Sequence, residues 1–196
     1  IIITNFKEGD AKKFNLDFES CKTIKSDIIY AHIGGFKSNP KRVAFDIILQ
    51  AETGFIKMTG NKDAYAKMPV ALIDVLAAHQ IKEGILTALI LQKKENKAFK
   101  ITTTLEETAI ASLMNQSSNF LMANYSPQPI GTLHPNISPY GEIISTLDNQ
   151  NLILAIGTDK QFEIFCELIG LEKKWTQLFK NNSQRVKESC LLYTSD

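Results

Sequence analysis

The sequence predicts an α/β protein in which a large domain built on a parallel sheet is followed by the start of a smaller α+β domain. Three observations carry that expectation. Ile1 to Phe36 reads as strand, helix and strand at the spacing of a βαβ unit, whose connection makes the two strands run parallel. Met68 to Gln92 (MPVALIDVLAAHQIKEGILTALILQ) is a long apolar stretch that reads as the helix the sheet is organised around. Tyr125 to Tyr140 carries four of the six prolines, and beyond it the pattern changes from long helices to a hairpin and a helix. The expected organisation is 1–124 as part of the large domain, 125–140 as an interdomain linker or loop, and 141–187 as part of the small domain. The remaining tail, 188–196 (ESCLLYTSD), abandons the preceding charge pattern and reads as non-native sequence.

The elements follow in order. Ile1 to Thr4 is a β-branched strand running into the loop NFKEG, Asp10 to Phe14 a short helix, Glu19 to Lys25 another, and Asp27 to Ile33 a second strand ending at Gly34 and Gly35. Val43 to Met58 shows apolar residues at spacings of three and four, the pattern of one helix. The long helix is expected over Val75 to Leu91, closed by charges at Lys93 to Lys97. Its first half is apolar on nearly every side, which predicts an element buried all round. Phe99 to Thr104 is strand-like, and Leu105 to Asn124 reads as a helix with Glu106 and Glu107 in its first turn, where the dipole favours them. Gly141 to Ser145 and Asn151 to Ile156 make a hairpin, and Asp159 to Ile169 a helix closed by Gly170.

Composition excludes several classes of function. A hydrophobic content of 44%, a charged content of 22% and a net charge of +1 call for neither nucleic acid nor an anionic membrane surface. The apolar runs are interrupted before they could span a bilayer. Cys21, Cys166 and Cys190 are odd in number, far apart and without CxxC spacing, so neither a disulfide framework nor a zinc site is expected. Free thiols suit a cytoplasmic protein, or a mitochondrial or peroxisomal one whose leader is not in the sequence. The start at Ile1, without Met, leads us to expect an internal fragment.

Asp74 stands in the middle of the apolar run. Burying an ionised carboxylate is costly, so the position needs a reason. One reason is capping, because Asp is a favoured N-cap residue and a helix follows it. The other is chemistry: a carboxylate at a helix N-terminus is held as an anion and can attack an activated acyl group. Capping is the commoner use, and this stretch alone leaves both open. At the carboxyl edge of the sheet, where ligands of such folds bind, lie Asn5, Phe6 and Lys7 with Lys12, Lys13 and Phe14 soon after. Lysines suit phosphate and aromatic faces suit a purine, although a solvated helix face has the same composition. Gly34 and Gly35 lack the GxGxxG arrangement. His134, in GTLHPNISPY, is a polar group on a rigid loop; His32 in a strand and His79 in a helix read as structural. No two histidines share a metal-ligand spacing, so no metal is expected.

Four segments, in the same order, resemble the class III CoA-transferases of the CaiB/BaiF type. The opening IIITNFKEGDAKKFNLDFESCKTIKSDIIYAHIGGF is similar to the family's strand, NF(K/R)PG turn and "iYasisGFG" strand. VAFDIILQAETGFIKMTG resembles its "yDlviQaesGlm.lTG", and MPVALIDVLAAHQIKEGILTAL its "vavaDi.aG..a..gilaAL". HPNISPYGEIISTLDNQNLILAIGTDKQFEIFCELIG resembles its "HP.iaPYq.f.t.DG.i.iavgnd.qf..lc..lg".

The resemblance implies a Rossmann-like large domain and a CoA-transferase that moves CoA from an acyl-CoA donor to a small carboxylic acid. Asp74 falls on the family's catalytic aspartate, which forms a mixed anhydride and then an aspartyl-CoA thioester. Asn5, Phe6, Lys7, Lys13 and Phe14 fall where the family contacts CoA, Phe45 and Asp46 on the helix bordering its active site, and Gly131 and His134 on its active-site loop. It further implies CoA as co-substrate with no permanently bound cofactor, and an interlocked homodimer for the full-length protein, the fragment alone being inactive. Glu8 in NFKEG departs from the family's proline, and GGFKS from its GFG. Two rivals share the scaffold. The α-methylacyl-CoA racemase branch has a His-Asp pair where this chain has Phe45 and Asp46, and so lacks its second acid/base here. A non-catalytic acyl-CoA-binding protein would need no Asp74.

Overall fold

The computed structural model describes residues 1–7 and 9–188; Glu8, one of the departures named above, and nearly all of the suspected non-native tail, with Cys190, lie outside the described residues. The chain separates into two compact units, one made of residues 1–59 and 63–129, the other of 60–62 and Ile130 onward.

The first unit is built on a parallel sheet. Strands β1 (Ile2–Thr4), β2 (Ile29–Gly34) and β5 (Phe99–Thr104) lie side by side in that order. Ile2 pairs with Tyr30, Thr4 with His32, Ile29 with Phe99 and Gly34 with Thr104. Between β1 and β2 come α1 (Asp10–Lys13) and α2 (Phe18–Ile24). Asp17 starts α2, its carboxylate accepting from the Glu19 and Ser20 amides. Cys21, Ile28 and Tyr30 are buried together there, with Phe18 against Tyr30.

Where one helix was expected over Val43 to Met58, the chain makes two, α3 (Asp46–Glu52) and α4 (Phe55–Met58). Gly54 separates them in a left-handed conformation, φ 93°, which glycine adopts at no steric cost. Phe45 is thus the extended residue before α3 rather than part of a helix. Two-residue strands, β3 (Gly60–Asn61) and β4 (Ala64–Tyr65), follow. Leu105 to Asn124 is likewise two helices, α6 (Leu105–Ala111) and α7 (Asn115–Ala123), interrupted at Met114 with φ 51°.

The long helix, α5, runs from Leu72 to Glu95 and ends on Asn96 in the left-handed region. It is not buried all round. Only Ile73, Ala77, Ile81 and Ala88 are buried, while Val75, Leu86 and Ile90 are half or more exposed. The sheet covers one side of the helix, and residues at spacings of four and seven take that side. Gly84 brings α5 onto β5 so closely that a Cβ there would lie 2.6 Å from Ile101 Cγ2. Ile101 and Thr103 therefore face α5, and the Thr103 hydroxyl donates to Gln80 Oε1 at 3.0 Å. By the two-residue alternation of a strand, Lys100, Thr102 and Thr104 lie on the opposite face.

The second unit pairs β6 (Tyr140–Ser145) with β7 (Asn151–Ala155) antiparallel, followed by α8 (Asp159–Leu168), α9 (Lys173–Leu178) and α10 (Asn182–Lys187). Its core is Ile156, Phe162, Cys166 and Phe179. Arg185, fully buried, donates to the Ser138 and Phe179 carbonyls and to Asp159, over the face of Phe162. The last two helices fall in the segment before Glu188, whose charge pattern is helical but whose elements the sequence does not delimit. Cys21 and Cys166 are buried free thiols.

Candidate active site

A cavity of 830 Å³ opens at the carboxyl ends of β2 and β5, on the first unit alone. Asn5, Phe6 and Lys7 line it after β1, Gly34 to Lys37 after β2, and Phe45, Asp46 and Asp74 from the starts of α3 and α5. This is where ligands of open parallel sheets bind, because the loops leaving the strands and the helix N-termini converge there. The loop after β2 is held by a carboxylate: Glu106 accepts from the Lys37 amide at 2.8 Å and from the Ser38 amide and hydroxyl. Phe36 is buried beneath the Arg42 guanidinium, 4.1 Å from the ring centroid.

Asp74 does not cap α5. The helix begins two residues earlier, after Ala71, and that residue offers no side-chain cap. Asp46 supplies the cap instead, since its Oδ2 accepts from the Ile73 amide at 2.7 Å. Gln50, fully buried one turn along α3, donates to Asp46 Oδ1, and its own oxygen accepts from the Met68 amide at 2.8 Å. A buried amide satisfied at both ends thus ties the approach to α5 and its capping carboxylate into one network. Asp74 is left free of the capping duty, in the first turn, facing the cavity.

The Asp74 side chain reaches solvent in this chain, so the expected apolar enclosure is not made by these residues alone. The protein around it nonetheless raises its carboxyl above the ordinary value by desolvation, and the like charge of Asp46 adds to the rise. Both effects disfavour the ionised form.

The other predicted site residues divide. Asn5, Phe6, Lys7 and Phe45 line the same cavity as Asp74. Lys13 and Phe14 do not: Lys13 is paired with Asp10 at 2.6 Å, and Phe14 is exposed beside the Phe6 ring, 6.1 Å between centroids. Lys37 reaches the cavity but is paired with Glu107. Gly131 and His134 belong to the second unit. There Gly131 turns with φ 64° and donates its amide to the Gly60 carbonyl, while His134 Nδ1 accepts from the Asn136 amide at 3.1 Å and its ring meets Tyr140 edge-on. The sequence reading did not find His32 in the cavity, nor the capping role of Asp46. An Asp and a Gln four residues apart on a helix were the available signal for the second. Among the described residues no three metal-ligating side chains come together, and no helix is long and apolar enough to cross a membrane.

The chain has relatives among known proteins. The chain is 35% identical over 175 residues to a succinate–glutarate CoA-transferase of Agrobacterium fabrum, covering 87% of this chain and 43% of that protein. It is 26% identical over 191 residues to the human succinyl-CoA:glutarate CoA-transferase, covering 95% and 43%. It thus spans less than half the length of the curated relatives it matches. A crystal structure of a CAIB/BAIF family protein from Brucella suis superimposes with a TM-score of 0.78 at 33% identity, over 97% of this chain and 51% of the other. The model of CoA-transferase family III matches residues 1–193. By a match over nearly its whole length, this chain belongs to CoA-transferase family III.

Proposed function

We propose that the full-length protein moves CoA from an acyl-CoA donor to a short-chain carboxylic acid, with Asp74 as the nucleophile. The observation that carries this reading is the placement of Asp74: a carboxylate in the first turn of α5, raised above its ordinary value and opening on an 830 Å³ cavity. An Asp74 oxygen attacks the thioester carbonyl, the C–S bond breaks, and CoA leaves as thiolate from a mixed anhydride. The thiolate then attacks the aspartyl carbonyl, which releases the donor acid and leaves an aspartyl-CoA thioester. The acceptor carboxylate repeats the two steps in reverse, regenerating Asp74. No net proton is consumed. The first step removes the charge that Asp46 repels, so the repulsion is relieved as the anhydride forms.

Dicarboxylic acids are the substrate class this reading favours, because the similar proteins are named for succinate, glutarate and mesaconate. Phe45 offers no proton-transferring group where a racemase of the same scaffold would need one. The full-length protein is read as a homodimer, and the 196 residues alone are expected to be inactive. The test is to mix full-length protein with succinyl-CoA, add hydroxylamine and locate the modified residue by mass spectrometry. Modification at Asp74, absent in Asp74→Asn, is the expected result; exchange that persists in Asp74→Asn overturns the assignment.

A further inference from the structure

The cavity contains an imidazole that the exchange steps leave unused. His32 sits in the middle of β2, partly buried, on the sheet face away from α5. A chain of hydrogen bonds defines its tautomer. The Tyr30 hydroxyl donates to the Leu16 carbonyl at 2.9 Å, and the Thr4 hydroxyl donates to the Tyr30 oxygen at 3.2 Å. The single proton of Thr4 is therefore committed, and its oxygen, 3.1 Å from His32 Nδ1, accepts from that nitrogen. With the proton on Nδ1, Nε2 of the neutral ring carries a lone pair. Burial, and then the Lys100 ammonium, hold His32 below its ordinary value and so in the neutral form at pH 7.

Nε2 makes no hydrogen bond with any described residue. It points along the strand toward Gly34, where a Cβ would lie 3.7 Å from it and 3.3 Å from Thr104 Cγ2. The Gly34 backbone does not require glycine, since its φ is outside the left-handed region. What the glycine does is leave a notch above the nitrogen, open to the cavity that His32, Gly34 and Thr104 all line.

We propose that His32 is a specificity-determining residue whose Nε2 accepts a hydrogen bond from a neutral N–H or O–H donor of the substrate, admitted by the notch at Gly34. The inference rests on the transferase reading and adds a residue to it. Two sources present that donor: the amides and hydroxyl of the pantetheine arm of CoA, or a hydroxyl on the acid. A carboxylate does not fit, because it would set an acceptor against a lone pair, so the second carboxylate of a dicarboxylic acid binds elsewhere.

The test uses full-length protein and calorimetric binding of CoA, of glutarate and of 3-hydroxyglutarate, with CoA exchange by the wild type measured alongside. Gly34→Ala keeps the imidazole but covers its nitrogen, and His32→Phe removes the acceptor. Each is expected to weaken binding about tenfold, the effect of one lost hydrogen bond, and His32→Gln, with an oxygen near the same place, to recover part of it. Weakening for CoA identifies the pantetheine arm as the source, and weakening for 3-hydroxyglutarate alone identifies the acid's hydroxyl. Wild-type binding of all three ligands by both Gly34→Ala and His32→Phe overturns the proposal, as does a wild type that binds none of them. A purely structural histidine would lower the melting temperature of His32→Phe and leave the affinity of Gly34→Ala untouched. Wild-type binding without exchange would refute the transferase reading and leave the notch standing.

Discussion

Asp46 Oδ2 accepts the Ile73 amide proton at 2.7 Å, so the carboxylate that begins α3 caps the helix on which Asp74 sits, one residue away. Removing that cap in Asp46→Ala is expected to cost about 1–2 kcal/mol of stability, the range for loss of a helix cap. Asp46→Asn keeps an accepting oxygen and should recover most of it, while relieving the like-charge repulsion on Asp74. Denaturant unfolding checks the stabilities. In full-length protein the role proposed for Asp74 predicts that Asp46→Ala lowers kcat more than it raises KM, since Asp46 caps the helix that carries Asp74.

Gln50 is the second support. Replacing it with Leu leaves the Met68 amide unpaired in the interior and should cost about 2 kcal/mol. Gln50→Glu is a sharper test, because a carboxylate in that place repels Asp46 instead of donating to it. Its carboxyl pKa should be raised, so stability should be regained as pH falls and be lost again as pH rises through that pKa. A stability of Gln50→Glu that fell in parallel with the wild type under acid would refute the network.

His32 predicts the opposite slope. Its pKa is held below the ordinary 6.5 by burial and by Lys100, so the unfolded chain binds the proton more readily than the folded one. The contribution of this group is fully present above about pH 6.5 and is lost as pH falls toward the folded value. The difference in unfolding free energy between wild type and His32→Gln, followed from pH 8 to pH 5, should change over that window. A difference independent of pH would show that His32 titrates normally.

Arg185 anchors the second unit. Its guanidinium is fully buried and satisfied by the Ser138 and Phe179 carbonyls and by Asp159. Arg185→Ala should destabilise that unit by about 3 kcal/mol or more, and Arg185→Lys should not restore it, because an ammonium cannot reproduce the planar fork. Limited proteolysis should then cut residues 130–188 well before the first unit.

Much of the fold was legible because it is written in neighbouring residues. The strand, helix, strand opening, the strand Phe99–Thr104, the hairpin of β6 and β7 and the helix after Asp159 follow from β-branched runs, turn residues and periodicity that act within a few positions. Asp74 was conspicuous for the same reason, as a charge in an apolar run.

What the chain could not reveal locally are contacts between distant residues. Asp46 and Ile73 are 27 residues apart, and only the packing of α3 against the head of α5 makes one the cap of the other. Without that contact Asp74 reads as the cap, since an Asp before a helix is the nearest acceptor in sequence. The exposure of Val75, Leu86 and Ile90 likewise depends on how much of α5 the sheet covers, which hydropathy does not encode. His32 read as structural because a lone strand histidine has no local partner; its tautomer comes from Thr4 on the next strand and its access from Gly34 and Thr104. The sequence by itself determined most of the strands and helices and the presence of a carboxylate. The tertiary structure decided that this carboxylate is free of the capping duty, because hydrogen bonds between remote groups exist only once the chain has brought them together.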